Sequence, residues 1–381
     1  MNTDTSYKAI SGIEKQVLAP ATALAYKNTE ATAITLRNRD ILLLWTEFLN
    51  TDLLPAAEQP PARQRGRGDD GYARISGRLS QDGGRTWSAP WVVVDDHDAL
   101  LNVMSPALTR LADGRLLLAY SWRSGGNPHP GYAIASGEAA RRIRISADEG
   151  QSWSDPVRIT PDDGGYHTGC HDRAYTLPSG RVLVQCHSRF DQPGPPATWR
   201  RMTTWLAYSD DHGQSWHAAT RLDEPRSPKG FAEGSLVQRG DGSLLMVLRT
   251  TLGQAFYTES TDEGATWSPP SPSGIITPAA PTLLARLPNA DDLLLVWNSN
   301  YNPDAEYQGR CPLLCAVSRD GGRTWGLPKA LETDPAYGWA YPGLLVHGDH
   351  ALLHYFRSPV GTSERSLLLA RIPLAWFYER D

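Results

Sequence analysis

The sequence predicts an all-β protein, one six-bladed β-propeller domain over residues 1–381, from three observations. First, a Ser-x-Asp-x-Gly-x-Ser/Thr-Trp turn occurs five times: "SQDGGRTW" at 80, "SADEGQSW" at 146, "SDDHGQSW" at 209, "STDEGATW" at 260 and "SRDGGRTW" at 318. Second, a fainter pattern of two short apolar strands around a turn occurs six times. Third, 34 Gly and 29 Pro punctuate the chain, and helical periodicity of any length is missing. Repeats spaced at 51 to 66 residues match four-stranded blades stacked around an axis.

The paired-strand pattern begins with "EATAITLRNRDILLLW" at 30. It returns as "SPALTRLADGRLLLAY" at 105, "HDRAYTLPSGRVLVQC" at 171, "EGSLVQRGDGSLLMVL" at 233, "APTLLARLPNADDLLLVW" at 280 and "YPGLLVHGDHALLHYF" at 341. Each supplies the two inner strands of a blade. Each Asp-turn then sits between two further alternating strands, such as "YARISGRL" and "WSAPWVVV" around the first, so it reads as a hairpin turn. Asp accepts from the turn's own backbone N–H groups, Gly tolerates positive φ, and Trp locks the turn onto the sheet. The leftover segments "GIEKQVLAP" and "SLLLARIPLAWFY" lie at the two ends, and pairing them closes the ring and removes open edges. Insertions at 49–70, 123–138, 187–203 and 299–309 all follow the second strand of a blade, which gathers them on one rim, where a ring of blades holds its ligand.

Composition narrows the function classes. A formal charge of -5 with interspersed signs gives no basic stripe for a phosphate backbone, so nucleic acid is not an expected partner. No apolar run reaches membrane-spanning length, and "MNTDTSYKAI" lacks the layout of a secretory leader. As written the chain is expected to be cytoplasmic; it would be periplasmic or secreted if a leader has been removed. Cys170, Cys186, Cys311 and Cys315 are expected as free thiols, because the Cys-His pairs at 170 and 186 lack the spacing of a structural zinc site. Neither a metal nor a cofactor is expected.

Aligning the six copies sets Glu30, Ser105, His171, Glu233, Ala280 or Pro281, and Tyr341 at the same place, facing one central funnel. The ends of the second strands add Glu47, Ser121, His187, Arg249 and Asn298. This concentration of acids, bases and hydroxyls exceeds what a structural ring requires.

The Asp-turns, taken with "EGSLVQRGDGSLLMVLR", "GRCPLLCAVSRDGGRTW" and "WAYPGLLVHGDHALLHY", resemble the sialidase (neuraminidase) superfamily of bacterial type, Asp-box or BNR-repeat propellers, over essentially the whole chain. The resemblance implies an exo-glycoside hydrolase acting on a terminal, anionic sugar of a glycan. It implies Tyr341 as nucleophile, Glu233 as its base, Arg249 and Arg310 as two of three arginines that clamp the substrate carboxylate, and Asp69 or Asp70 as acid/base on a loop before the first Asp-turn. A neutral phenol approaches a carbon bearing a carboxylate without the repulsion an Asp nucleophile would meet.

The match breaks at the first clamp arginine, whose place holds Glu30 in "NTEATAI". The glutamate that steadies that arginine is also missing, the strand reading "LLHYF". Arg37, Arg39, Arg74 or Arg173 are candidates for the lost charge. His167, His171, Asp172, Arg173 and His187 form a cluster outside the family pattern. They suit a glycosidase for a different sugar, or a polysaccharide lyase in which Tyr341 or a histidine removes a proton beside a uronate carboxylate. A non-catalytic lectin is the third reading, with Trp122, Trp199, Trp205 and Trp339 stacking on sugars.

Overall fold

The computed structural model describes residues 12–59, 68–96, 101–124, 138–189, 201–289, 291–302 and 309–379. Among the described residues, twenty-five strands form six blades. The first runs outward from the axis as Lys27–Thr35, Ile41–Phe48, Ala73–Ser80 and Trp91–Val94. The fourth and fifth blades repeat this order from inner strands Ala232–Gln238 and Leu283–Arg286. The second strand of the first blade, "ILLLWTEF", is mostly apolar because it is covered on both faces by neighbouring blades and buried along its length. The apolar cores accordingly lie between blades.

Closure takes the expected form. Glu14–Ala19 pairs antiparallel with Ser366–Pro373 and becomes the outermost strand of the sixth blade, behind Tyr337–His347 and His350–Pro359.

The second and third blades depart from the simple pattern by merging into one nine-stranded sheet. The short strand Tyr166–Thr168 pairs antiparallel with Val182–Arg189 of the third blade and meets Ala139 of the second blade in parallel. The third inner strand is thereby split into Tyr166–Thr168 and Ala174–Thr176.

All five Asp-turns carry the same bonds. The serine hydroxyl donates to Asp Oδ1 over 2.7–2.9 Å and accepts from the Gly N–H four residues on over 2.8–2.9 Å. The Ser/Thr hydroxyl donates to Asp Oδ2 at 2.5–2.6 Å. These bonds hold Asp82, Asp148 and Asp320 down at about 2. The turns fasten the first five blades at the end away from the long insertions.

Trp122, Trp205 and Trp339 are buried, so none is available for stacking on a sugar, while Trp199 lies outside the described residues. Parts of all four insertions, among them 60–67, 125–137, 190–200 and 303–308, also lie outside them. Among the described residues no helix is long and apolar enough to cross a membrane.

Candidate active site

Five of the six inner strands hold a non-glycine residue in the left-handed region, at the same place in each blade: Glu30 (φ 53°), Ser105 (56°), Asp172 (52°), Glu233 (50°) and Tyr341 (60°). In four of them the ladder register shifts there, as in a β-bulge, between Thr29 and Ala31, Met104 and Ala107, Ala232 and Ser235, and Ala340 and Gly343. A bulge re-aims one side chain out of the pleat, here toward the axis. Left-handed backbone is costly for Glu and Tyr and collects where function over-determines it. In the third blade the residue is Asp172 rather than His171, because the split of that strand moves the alignment by one. The fifth blade, at Ala280, lacks the feature.

Above the bulges opens a cavity of about 910 Å³ whose lining includes Tyr341, Glu233, Asp69, Asp70, Arg249 and Arg310. The Tyr341 hydroxyl donates to Glu233 Oε1 at 2.9 Å, and the Arg249 guanidinium donates to Glu233 Oε2. Burial alone would raise Glu233; the Arg249 charge and hydrogen bond outweigh it and hold the carboxyl below its ordinary value. Burial, reinforced by the Glu233 charge, pushes the Tyr341 phenol well up. The pair therefore rests as phenol and carboxylate. The Tyr341 ring lies between Phe356, stacked at 5.5 Å, and His171 at 5.3 Å, so its direction is fixed.

Arg310 stands 5.6 Å from the Tyr341 ring centroid. Burial pulls it down to about 10, and the charges of Arg249 and Arg365 act the same way. Its Nε finds no hydrogen-bond partner among the described residues. Arg365, which the sequence did not single out, also lines the cavity and lies 4.5 Å from the Phe356 ring. It comes from the last hairpin of the sixth blade and docks against the first inner strand, where Asn28 N–H donates to its carbonyl at 2.8 Å. The only sequence hint was its neighbourhood, "PVGTSERSL", a turn on the ligand rim.

None of the four arginines considered for the missing charge occupies this place. Arg37 bonds Glu149 and the Gly114 carbonyl, and Arg39 shares its turn. Arg74 pairs with Glu47 at 2.7 Å, and Arg173 is buried near the axis against the Thr282 and Pro342 carbonyls. Glu30 also lies below the cavity, accepting from Ser105 Oγ at 2.8 Å. Burial raises its pKa, although the nearby Lys27 opposes this.

Asp69 and Asp70 separate clearly. Asp70 is buried and paired with Arg123 at 2.8 Å, whereas the Asp69 side chain is 70% exposed and paired with the buried Lys27. That pairing holds Asp69 well below the usual carboxylate range. Asn102 and Arg123 clamp the loop by donating to the Asp69 carbonyl at 2.9 and 2.5 Å.

The histidines and Asn298 are placed as braces. His171 Nε2 lies 3.1 Å from the Tyr341 carbonyl, and burial pushes the ring well down, so it is neutral. His167 bridges Ser188 and Asp163 at 2.7 and 2.8 Å. His187, which burial lowers to about 4, contacts Thr168 Oγ1 at 2.6 Å. Asn298 donates to the Pro312 and Trp339 carbonyls at 3.1 and 3.0 Å. They do not line the cavity because buried polar groups find partners in the strands first.

The family model described as "BNR repeat-like domain" matches residues 62–355. The chain belongs to this family. Among similar proteins, a sialidase of Paraclostridium sordellii is 25% identical over 54% of the chain and 52% of its own length. A sialidase of Micromonospora viridifaciens is 25% identical over 78% of the chain and 46% of its own. The chain thus spans about half the length of these curated relatives. The crystal structure of an intramolecular trans-sialidase from Ruminococcus gnavus superposes with a TM-score of 0.73 at 15% identity, covering 98% of this chain and 100% of the other. At that identity the likeness establishes the fold. The BNR repeats of this chain are its five Asp-turns, and they lie at the opposite end of the blades from the Tyr341–Glu233 pair.

Proposed function

We propose that the protein is a sialidase-like exo-glycosidase that releases a terminal, anionic sugar from a glycan, with Tyr341 as nucleophile and Glu233 as its base. The observation that carries the reading is the 2.9 Å bond from the Tyr341 phenol to Glu233, itself pinned by Arg249, at the floor of a cavity walled by Arg310 and Arg365. Three guanidiniums around one space, with Glu233 as the carboxylate paired there, suit a bound anion.

The chemistry follows from the proton positions. The Tyr341 oxygen bonds to the anomeric carbon while its proton passes to Glu233, and the glycosidic C–O bond breaks. Free phenolate is unfavourable because the phenol is raised and the carboxylate lowered, so proton transfer accompanies bond formation. An anionic substrate that draws on Arg249 weakens its hold on Glu233 and makes the base stronger at the moment of need. Asp69, exposed in the cavity, takes up a proton from solvent, passes it to the leaving oxygen and then takes one from the water that cleaves the Tyr341–sugar bond; Glu233 returns the first proton to the phenol. Lys27 must loosen from Asp69 for the first of these steps. Leaving groups that need no proton, such as nitrophenol, should therefore depend less on Asp69 than sugar alcohols do.

The test is incubation with sialosides, other nonulosonic acid glycosides and uronate-containing oligosaccharides, with products read by mass and ultraviolet absorbance. A free terminal sugar without a new double bond is expected. An unsaturated, ultraviolet-absorbing product would establish lyase chemistry and overturn the proposal.

A further inference from the structure

The first inner strand buries two opposite charges, Lys27 and Glu30, close to the Asp69 loop, and the Tyr341–Glu233 pair needs neither of them. Lys27 holds Asp69 in an ion pair whose two ends differ sharply: the lysine side chain is 2% exposed and the aspartate 70% exposed. One end is anchored and the other is free. Lys27 stands opposite Phe48 in the sheet with its ammonium 3.9 Å from that ring, and its backbone bridges to Arg365 of the sixth blade. Asp69 is fixed only through its carbonyl, which Asn102 and Arg123 clamp. Its carboxylate can therefore leave Lys27 by side-chain rotation alone, while the ammonium stays behind.

The charges that act on this pair come from four elements. Asp69 and Glu30 favour the Lys27 ammonium, and Arg365 opposes it. Lys27 acts most strongly on Asp69, with Arg365 and Arg123 adding to its effect. The other carboxylates of the same elements, Glu47 and Asp70, are bound to Arg74 and Arg123. A buried ammonium left without a counter-charge is strongly disfavoured. Glu30, three residues along the same strand, is placed to answer Lys27 when Asp69 turns away. This gives the acid at the first bulge a use that does not oppose an anionic substrate, since it lies below the cavity and faces Ser105 and Thr46 rather than the sugar.

We propose that Lys27 is a positioning residue for Asp69: it parks the carboxylate between turnovers, and Glu30 becomes its counter-charge when Asp69 rotates to the leaving oxygen. This inference rests on the glycosidase reading for the role of Asp69. While paired, Asp69 is a poor proton donor, because the adjacent ammonium favours the carboxylate. Once turned away it takes a proton from solvent and passes it to the leaving oxygen. Later it gives up to solvent the proton it has taken from water, and returns to Lys27 as carboxylate. Lys27 keeps its own proton throughout. The strength of its hold thus sets the highest pH at which a sugar alcohol can leave, and has no such effect on nitrophenol.

The test compares kcat across pH for 3′-sialyllactose, whose leaving group needs a proton, and for a nitrophenyl sialoside, whose leaving group does not. Lys27→Met should move the alkaline limb of the sialyllactose profile up by about one to three pH units and leave the nitrophenyl limb in place. Lys27→Arg should restore the wild-type limb, and Glu30→Gln should move it down. In an Asp69→Asn background both shifts should vanish. If Lys27→Met does not fold, the downward shift in Glu30→Gln carries the same test. An unmoved sialyllactose limb, an equal shift for both substrates, or an upward shift in Glu30→Gln would overturn the proposal. Release of sugar from neither substrate would instead count against the glycosidase reading, and NMR titration of the Asp69 carboxyl in the full chain then decides the hold of Lys27. Protonation well below the usual carboxylate range in wild type, raised by Lys27→Met, is expected; identical titrations would overturn it.

Discussion

The Asp-turns and the inner-strand bulges are both repeated, both use left-handed backbone, and they sit at opposite ends of the blades. Asp148 and Gly150 and their counterparts, with the flanking Ser and Ser/Thr, keep one set of hydrogen bonds. The bulges keep one backbone and change the side chain from blade to blade: Glu30, Ser105, Asp172, Glu233, Tyr341. Repetition of the residue marks a device that each of five blades uses for itself. Repetition of the position with a changing residue marks a place where blades combine different groups over one axis. The two regions should therefore respond to substitution in opposite ways, one in stability and the other in turnover.

Tyr341→Phe is the sharpest attack on the bulge side. Phe keeps the ring between Phe356 and His171 and meets the same backbone strain, so the fold should hold. Loss of the phenol should lower kcat by about 10²–10⁴-fold while binding changes little. Single-turnover kinetics and calorimetry together check this. A variant that turns over at the wild-type rate removes Tyr341 from the chemistry.

Next in size is the question of which blade supplies the third cation. Glu30 occupies the first-blade bulge but lies below the cavity, whereas Arg365 enters from the sixth blade. Arg365→Met should raise KM about 10- to 100-fold on an anionic substrate, the effect of losing a charge-assisted bond of ~1.5–3 kcal/mol. Glu30→Gln should change KM far less. The reverse ranking in steady-state kinetics would return the specificity role to the first blade.

Legibility in the sequence follows the same division. The blades, their number and the closure could be read because short-range chemistry repeats: turn residues, apolar second strands, leftover end strands. Tyr341, Glu233 and Arg249 could be placed because blade alignment preserves position, and Arg310 only through the family resemblance. Arg365 and Lys27 could not, since Arg365 reaches the site by docking on the first blade and Lys27 by an ion pair with the Asp69 loop, neither of which repeats from blade to blade. Tyr166, which also lines the cavity, was hidden for a related reason: its strand has three residues, too short for any alternation to announce it. The histidine cluster misled because polar residues on a strand end look equally able to face a cavity or a neighbouring strand.

Asp172 tests whether a bulge can serve structure. It accepts from Thr32 Oγ1 at 2.8 Å and Leu344 N–H at 3.1 Å, and its own N–H donates to the Pro106 carbonyl at 3.0 Å, tying the first, second, third and sixth inner strands. Burial raises it to about 6 from 3.8, with Arg173 opposing and the neutral His354 3.8 Å away. Its folded pKa exceeds the unfolded value, so its stabilisation is complete below 3.8 and declines as pH rises through about 6. The decline should be about 3 kcal/mol. Asp172→Asn should lack it, and denaturant titrations of both proteins across this window measure the difference. Parallel pH curves for wild type and variant would rule out the staple.

Asp82→Ala, on the other side of the comparison, carries the smallest effect. The strand Ala73–Ser80 begins beside the Asp69–Asp70 loop and ends at this turn, a span of about 25 Å at the usual rise per residue. Removing the carboxylate deletes acceptors for the Arg85 and Thr86 N–H groups and the Ser80 and Thr86 hydroxyls. Exposed turn groups re-pair with water, so the cost should be about 1 kcal/mol, comparable to loss of a helix cap. Because Asp82 is held at about 2, below its unfolded value, its contribution is present above pH 3.8 and fades as pH falls through 2. The variant should therefore differ from wild type at neutral pH and converge with it in acid, with kcat and KM unaltered. A kinetic change without a stability change would mean that this end of the blade communicates with the funnel, and the division between repeated residue and repeated position would fail.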